Sequence, residues 1–188
     1  MKYTTPMLTT ERLILKRGTF EDFGRVYEYD FRKLRDICGE FVYEKLDPKV
    51  IEGLELYADE DDVLNWIVFL KDTMMPIGDL VADRIDPELK SIEIAYNLHP
   101  DYWGNGYMPE AVKGVMKYLF DLGFNNIVCT YDEGNAKSQR VIEKLGFKHY
   151  KTIPDSWKKN GTPITCYNYI ISKADFEEKC SINKDIYK

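Results

Sequence analysis

Apolar and polar positions repeat with two periods along this chain, and the switches between them mark the elements. Leu13 to Arg17 reads as a first strand, broken by Gly18-Thr19. Thr19 suits a helix N-cap with Asp22 at the third position, and Phe23, Val26, Tyr27 and Asp30/Phe31 make a loose helical stripe. Val50, Ile51, Leu54 and Tyr57 recur at helical spacing after Asp47-Pro48, so Lys49 to Tyr57 is predicted helical. Val63 to Lys71 predicts a strongly apolar strand, and Pro76 to Ile85 predicts another. Gly78 inside the second predicts a bulge or a close backbone approach. Ser91 to Leu98 places Ile92, Ile94, Tyr96 and Leu98 on one face and Glu93, Ala95 and Asn97 on the other. Three strands with short links predict an antiparallel meander.

The period then becomes helical. Met108, Ala111, Val112, Val115, Met116 and Leu119 form one stripe, with Lys113 and Lys117 opposite. Pro109 to Leu122 is therefore a predicted helix with Gly123 as its stop. Asn126 to Tyr131 follows as a short strand, and strand–helix–strand order predicts that it runs parallel to Ser91–Leu98. Asn135 to Leu145 predicts a further helix, N-capped by Asn135 and closed by Gly146-Phe147. Lys148 to Ile153 and Ile164 to Ser172 are the last predicted strands, with a loop from Pro154 to Pro163. After Lys173 the chain turns polar, which predicts a short helix or disorder. The sum is one α/β (α+β) domain over residues 1–173 with a polar tail, 174–188. Its sheet is central, mixed and mostly antiparallel, with helices on both faces and one parallel strand pair.

Composition narrows the function. The chain has 188 residues and a net charge of −6, which argues against nucleic acid as the main partner. No apolar run approaches a membrane span, and Met1 to Thr10 does not read as a signal peptide, so a cytoplasmic protein with no membrane partner is expected. Cys38, Cys129, Cys166 and Cys180 are widely spaced, and His99 and His149 are the only histidines. Neither set predicts a metal site, and free thiols in a reducing compartment are expected. Ala58 to Asp62 is an acidic turn, a solvated loop or a rim attracting a cationic substrate.

The stretch Trp103-Gly104-Asn105-Gly106-Tyr107-Met108-Pro109-Glu110 joins the third meander strand to the long helix. A glycine-bearing loop that opens a helix offers converging backbone N–H groups and a partial positive charge, which suit a phosphate. No Lys-Ser/Thr follows the glycines, so a P-loop is a poor match. Gly104 and Gly106 fit two places of a dinucleotide fingerprint, but Pro109 occupies the third. A third reading is an acyl-CoA pyrophosphate loop, and a family resemblance carries it.

These residues resemble the GNAT superfamily of N-acetyltransferases. Gly106 takes the central glycine of its Q/R-x-x-G-x-G/A loop, while Trp103 and Met108 depart from the general pattern. Trp103-Gly104-Asn105-Gly106-Tyr107 with Glu110-Ala111 is similar to the ribosomal-protein N-acetyltransferase branch. So are Thr10-Glu11-Arg12-Leu13-Ile14-Leu15, Asn135-x-x-Ser138, and Lys144-Leu145-Gly146-Phe147. Met108 stands where the branch usually has Ala, and puts a larger side chain at the helix mouth.

The resemblance implies a GNAT-like fold and transfer of an acetyl group from acetyl-CoA to a primary amine, with no metal. The acceptor is a protein N-terminal amine or a small-molecule amine; monomer and homodimer are both compatible. The implied cofactor contacts are Leu98, Trp103, Gly104, Asn105, Gly106, Tyr107, Met108, Asn135 and Ser138. Transfer needs a base for the amine and a donor for the leaving thiolate. Glu93, on the strand leading into the loop, is the candidate base, and Ser138 the candidate thiolate partner; Tyr131 is an alternative acid. Asn135 is expected to bond the pantetheine arm, which would run between the strands toward Glu93 and Ser138. Tyr27, Tyr43, Tyr57 and Trp157 are candidate acceptor contacts. An acyl-CoA sensor without chemistry and a nucleotide-binding module are the rival readings.

Overall fold

The computed structural model describes residues 3–28, 52, 53, 56, 57, 60, 62–159 and 161–185. The strands are β1 (Leu8–Thr9), β2 (Leu13–Lys16), β3 (Leu64–Leu70), β4 (Pro76–Asp86), β5 (Ser91–Leu98), β6 (Asn126–Asp132), β7 (Lys148–Lys159) and β8 (Thr162–Ser172). The long helical segments are α1 (Phe20–Val26), α2 (Tyr107–Asp121), α3 (Ala136–Leu145) and α4 (Lys173–Asp185), with a 3-10 turn at Pro100–Tyr102. One mixed sheet follows the order β1-β2-β3-β4-β5-β6-β8-β7, mostly antiparallel with β5 and β6 as the parallel pair. The chain divides into two compact units, Met1–Arg84 with Ile94–Val115, and Ile85–Glu93 with Met116–Lys188.

In the first unit, β3 is buried along its length because β2 and β4 flank it, with Leu15 opposite Val68 and Ile67 opposite Asp79. Each large apolar side chain taken from water there contributes roughly 1.5–3 kcal/mol. Thr19 caps α1 as predicted. Its hydroxyl accepts the Asp22 N–H at 3.3 Å, and the Asp22 carboxylate accepts the Thr19 N–H at 3.1 Å. Phe23 and Val26 then pack on Ile67 and Phe69. Gly78 has both predicted roles. The β3–β4 register shifts between Val68 and Phe69, and a Cβ on Gly78 would lie 2.4 Å from the Asn97 carbonyl oxygen. The two-residue β1 is too short to carry a period, and no periodicity predicts it. Of the predicted Lys49–Tyr57 helix, the described residues 52, 53, 56 and 57 are helical and the others lie outside the described residues.

Helix α2 starts at Tyr107, two residues before the predicted Pro109. Proline then falls in the first turn, where the missing N–H has no intrahelical partner to lose. The predicted stripe from Met108 to Leu119 is buried. Gly123, at φ 103°, ends the helix: its N–H reaches Phe120 O at 3.2 Å, and Phe124 N–H reaches Leu119 O at 3.3 Å.

In the second unit the Lys90 carbonyl accepts the N–H groups of Asn125 at 2.9 Å and Asn126 at 3.4 Å. β5 and β6 therefore start at the same end, as a parallel pair must. The predicted loop Pro154–Pro163 is a correction. β7 and β8 continue through it as an antiparallel hairpin, with Trp157 opposite Ile164, Lys159 opposite Thr162, and Gly161 at φ 79°. Pro154 survives in a strand because β7 is the last in the sheet and its register shifts between Ile153 and Trp157. The described part of the polar tail, to Asp185, is helix. Phe176 of α4 is buried with its ring 5.2 Å from that of Phe120, and Asp175 takes Lys148 Nζ at 2.6 Å.

Candidate functional site

The loop between β5 and α2 is fixed by its own polar groups. The Trp103 indole Nε1–H donates to the Leu98 carbonyl at 2.7 Å, and the Trp103 backbone N–H donates to Pro100 O at 3.2 Å. Both donors of Trp103 and the carbonyl of Leu98 are thus spent on the scaffold, so the N–H of Trp103 leaves the expected set of open donors. Asn105 Nδ2 donates to the carbonyls of Tyr102 and Trp103, each at 3.2 Å. Gly104 at φ 79° and Gly106 at φ 76° occupy the left-handed region, where side chains are strained. Among the described residues, the N–H groups of Gly104, Asn105, Gly106, Tyr107 and Met108 donate to no protein group. Five consecutive donors therefore stand on the positive end of a 15-residue helix. Met108 does not intrude on them. Its side chain is 3% exposed and lies in the buried stripe of α2, which corrects the expectation of bulk at the helix mouth.

Glu110, one helical turn further on, clasps this loop to the connection between β1 and β2. Its Oε1 accepts Thr10 Oγ1–H at 2.6 Å and Arg12 N–H at 2.8 Å, and its Oε2 accepts Arg12 Nε–H at 2.7 Å. Arg12 Nη1–H then donates to Asn105 O at 3.0 Å, and the guanidinium stands 4.6 Å from the centre of the Tyr107 ring. Burial alone would raise the Glu110 carboxyl, but the Thr10 and Arg12 hydrogen bonds and the Arg12 charge outweigh it and hold it below the ordinary value. The sequence displays these residues only as two separate motifs. The structure joins them, and the clasp is the functional feature that sequence reading misses.

The second unit carries the remaining candidates. Asn135 caps α3, its Oδ1 accepting the Ser138 N–H at 3.1 Å. Its Nδ2 makes no hydrogen bond among the described residues. Ser138 and Glu93 are both half-buried, each with a polar partner of its own. Tyr131 is buried, stacked 5.2 Å from Tyr167 and tilted 5.7 Å from Tyr169. Burial first, then the hydrogen bond and charge of Tyr169, push its hydroxyl up to about 12. Such a group is a poor proton donor at neutral pH. Trp157 gives its indole N–H to Asp132 Oδ1 at 3.2 Å, which also accepts the Cys166 thiol at 2.9 Å.

The aromatic candidates of the first unit meet buried acids on β4. Tyr27 O–H donates to Asp79 Oδ1 at 2.9 Å, and Tyr57 O–H donates to Asp83 Oδ2. Burial raises the Asp79 carboxyl to about 6, although the hydrogen bond from Tyr27 and the nearby Asn97 amide pull it down. Burial, then the bond to Asp83, pushes the Tyr57 hydroxyl up to about 12. Tyr43 and positions 58, 59 and 61 of the acidic turn lie outside the described residues. Among the described residues no cluster of three His, Cys, Asp or Glu side chains is arranged to hold a metal, and no helix is long and apolar enough to cross a membrane.

Residues 12–148 match the acetyltransferase (GNAT) domain family. The chain is 26% identical over 172 residues to the uncharacterized N-acetyltransferase YoaA of Bacillus subtilis, covering 89% of this chain and 97% of YoaA. Its fold is similar to a GNAT-family acetyltransferase from Bacillus anthracis, with a TM-score of 0.76 and 23% identity over 90% of this chain and 99% of the other. It is also similar to Mycobacterium smegmatis RimJ, solved in complex with CoA-disulfide, with a TM-score of 0.74 and 16% identity over 90% and 88% of the two chains.

Proposed function

The chain belongs to the GNAT acetyltransferase family, whose members take the acetyl group from acetyl-CoA, and from that premise we propose how its residues divide the work. The five unspent N–H donors from Gly104 to Met108 hold the CoA pyrophosphate, and this run of donors carries the reading. Charge-assisted bonds from backbone N–H groups to phosphate are strong and need no lysine, which suits a chain of net charge −6. The unspent Nδ2 of Asn135 bonds the pantetheine arm.

Bound acetyl-CoA supplies a thioester carbonyl. The acceptor amine attacks that carbon, a C–N bond forms, the C–S bond breaks, and the sulfur leaves with the electron pair. Glu93 takes the proton lost by the amine, directly or through one water. Ser138 O–H donates a hydrogen bond to the leaving thiolate. Holding amine and thioester together supplies much of the rate. The acceptor is a primary amine, of a protein N-terminus or of a small molecule.

The test is thiol release. Purified protein is mixed with acetyl-CoA and a panel of amines that includes peptides with free N-termini, and products are identified by mass spectrometry. The expected outcome is free CoA thiol only in the presence of an acceptor, with that acceptor N-acetylated. Binding of acetyl-CoA without thiol release would make the chain an acyl-CoA sensor. Competition by ATP or NAD as strong as by CoA would make it a nucleotide-binding module.

A further inference from the structure

The polar groups on one face of β4 do not balance. Asp79 and Asp83 stand two pleats apart on the same face of the strand, and both are buried. Asn65 lies directly opposite Val81, the residue between them on that face, so all three polar side chains share one surface of the sheet. Asn65 is only 5% exposed, and its Oδ1 accepts no hydrogen bond among the described residues. Asn97 Nδ2 is likewise buried and stands near Asp79, but makes no hydrogen bond among the described residues. Tyr27 and Tyr57 supply one O–H each to the two carboxylates. Two carboxylates and an amide carbonyl can accept many more hydrogen bonds than two hydroxyls and one amide provide. A buried acceptor left unmatched costs free energy that an apolar side chain in the same place would not.

We propose that this face of β4 is the cation subsite for the acetyl acceptor, where Asp79, Asp83 and Asn65 Oδ1 receive the N–H groups of an alkylammonium. The ligand class is a compact cation rich in N–H donors. Such a group satisfies the Asn65 carbonyl and the open carboxylate positions together, and places positive charge beside two buried carboxylates. Tyr27 and Tyr57 orient the carboxylates, as hydroxyls bonded to an anion do. The chemistry favours amines that carry a second ammonium group, such as diamines and polyamines, over monoamines with an apolar tail. This rests on the acetyltransferase reading but makes a separate demand on the acceptor.

The experiment compares 1,4-diaminobutane with 1-aminobutane, and adds a peptide with a free N-terminus as a third arm, in steady-state acetyl transfer and in thermal unfolding. The wild-type chain is expected to use the diamine with a KM at least tenfold below that of the monoamine. Its midpoint of unfolding should rise with 1,4-diaminobutane. Asp79→Asn is expected to raise the diamine KM at least tenfold, to leave the KM for acetyl-CoA unchanged, and to abolish the thermal shift. Asn65→Leu separates a ligand role from a structural one. It should raise the unfolding midpoint of the unliganded protein and still raise the diamine KM several-fold. An unchanged diamine KM in both variants, or a wild-type chain that prefers the monoamine or the peptide, overturns the subsite. Failure of acetyl-CoA to bind or to transfer to any amine would instead overturn the acetyltransferase reading.

Discussion

The loop before α2 and the inner face of β4 lie in the same unit, and they treat their polar groups in opposite ways. At the loop the side chains are spent on the protein: Trp103 on Leu98, Asn105 on two carbonyls, Glu110 on Thr10 and Arg12. What they leave over is backbone, five N–H donors in a row. On β4 the backbone is consumed by sheet pairing, and what is left over is side chain, chiefly carboxylate and amide oxygen. A surplus of donors selects an anion and a surplus of acceptors selects a cation. The contrast teaches that a ligand's charge can be read from which groups a fold leaves unmatched, whatever the net charge of the protein.

Gly78 ties the two regions, and its loss breaks both. It precedes Asp79, and its missing Cβ lets β4 approach Asn97 and Leu98, whose carbonyl receives the Trp103 indole. A methyl group 2.4 Å from a backbone oxygen forces the strands apart. Gly78→Ala is expected to cost about 3 kcal/mol, a fall of roughly 6–12 °C in the unfolding midpoint of a chain this size. Calorimetry checks it; an unchanged midpoint would show that the close approach is not needed.

The next effect in size concerns the β4 face alone. Asp79 stands at about 6 in the folded chain against 3.8 ordinarily. Between those values the folded chain holds a proton that the unfolded chain has released. Stability is therefore lost as pH rises from about 4 to about 6, by up to ~3 kcal/mol. The Tyr27 hydroxyl and the Asn97 amide face this carboxyl, and Asp83 shares its side of the strand. Asp79→Asn should flatten this part of the stability–pH curve in urea titrations. An equally steep curve in the variant would remove Asp79 as its source.

The loop is tested by the clasp. Glu110→Ala removes three hydrogen bonds and leaves Arg12 without its carboxylate, so the loop loses its anchor while its N–H groups remain. A loss of about 2 kcal/mol, or roughly 30-fold in acetyl-CoA affinity, is expected by equilibrium binding. The smallest expected change is at Ser138. Ser138→Ala should keep acetyl-CoA affinity and lower the rate at saturation by about tenfold, the scale of one weakened hydrogen bond to a leaving group. Loss of affinity with no rate defect would refute the role of its hydroxyl.

Most of the scaffold is legible in the sequence because single residues announce it. Thr19 with Asp22, Asn135 with Ser138, and Gly123 and Gly146 each fix a helix end by local chemistry. Failures occur where the deciding contact is distant. Pro154 suggests a loop, and only the edge position of β7 makes a strand tolerable there. The loop's glycines are readable as a phosphate cradle. The clasp is not, since Glu110 and Arg12 stand 98 residues apart and nothing local ties them. The β4 face was unreadable for the same reason: Asp79 and Asp83 look like ordinary strand carboxylates until β3 places Asn65 between them.

The central claim, donors for the anionic cosubstrate at the loop and acceptors for the cationic amine on β4, is tested most directly by one pair of Michaelis constants. KM for acetyl-CoA and KM for 1,4-diaminobutane are measured in Glu110→Ala and in Asp79→Asn. The account predicts a crossed result: Glu110→Ala raises the first constant and spares the second, and Asp79→Asn does the reverse. Two variants that shift the same constant, or that both shift neither, would contradict it.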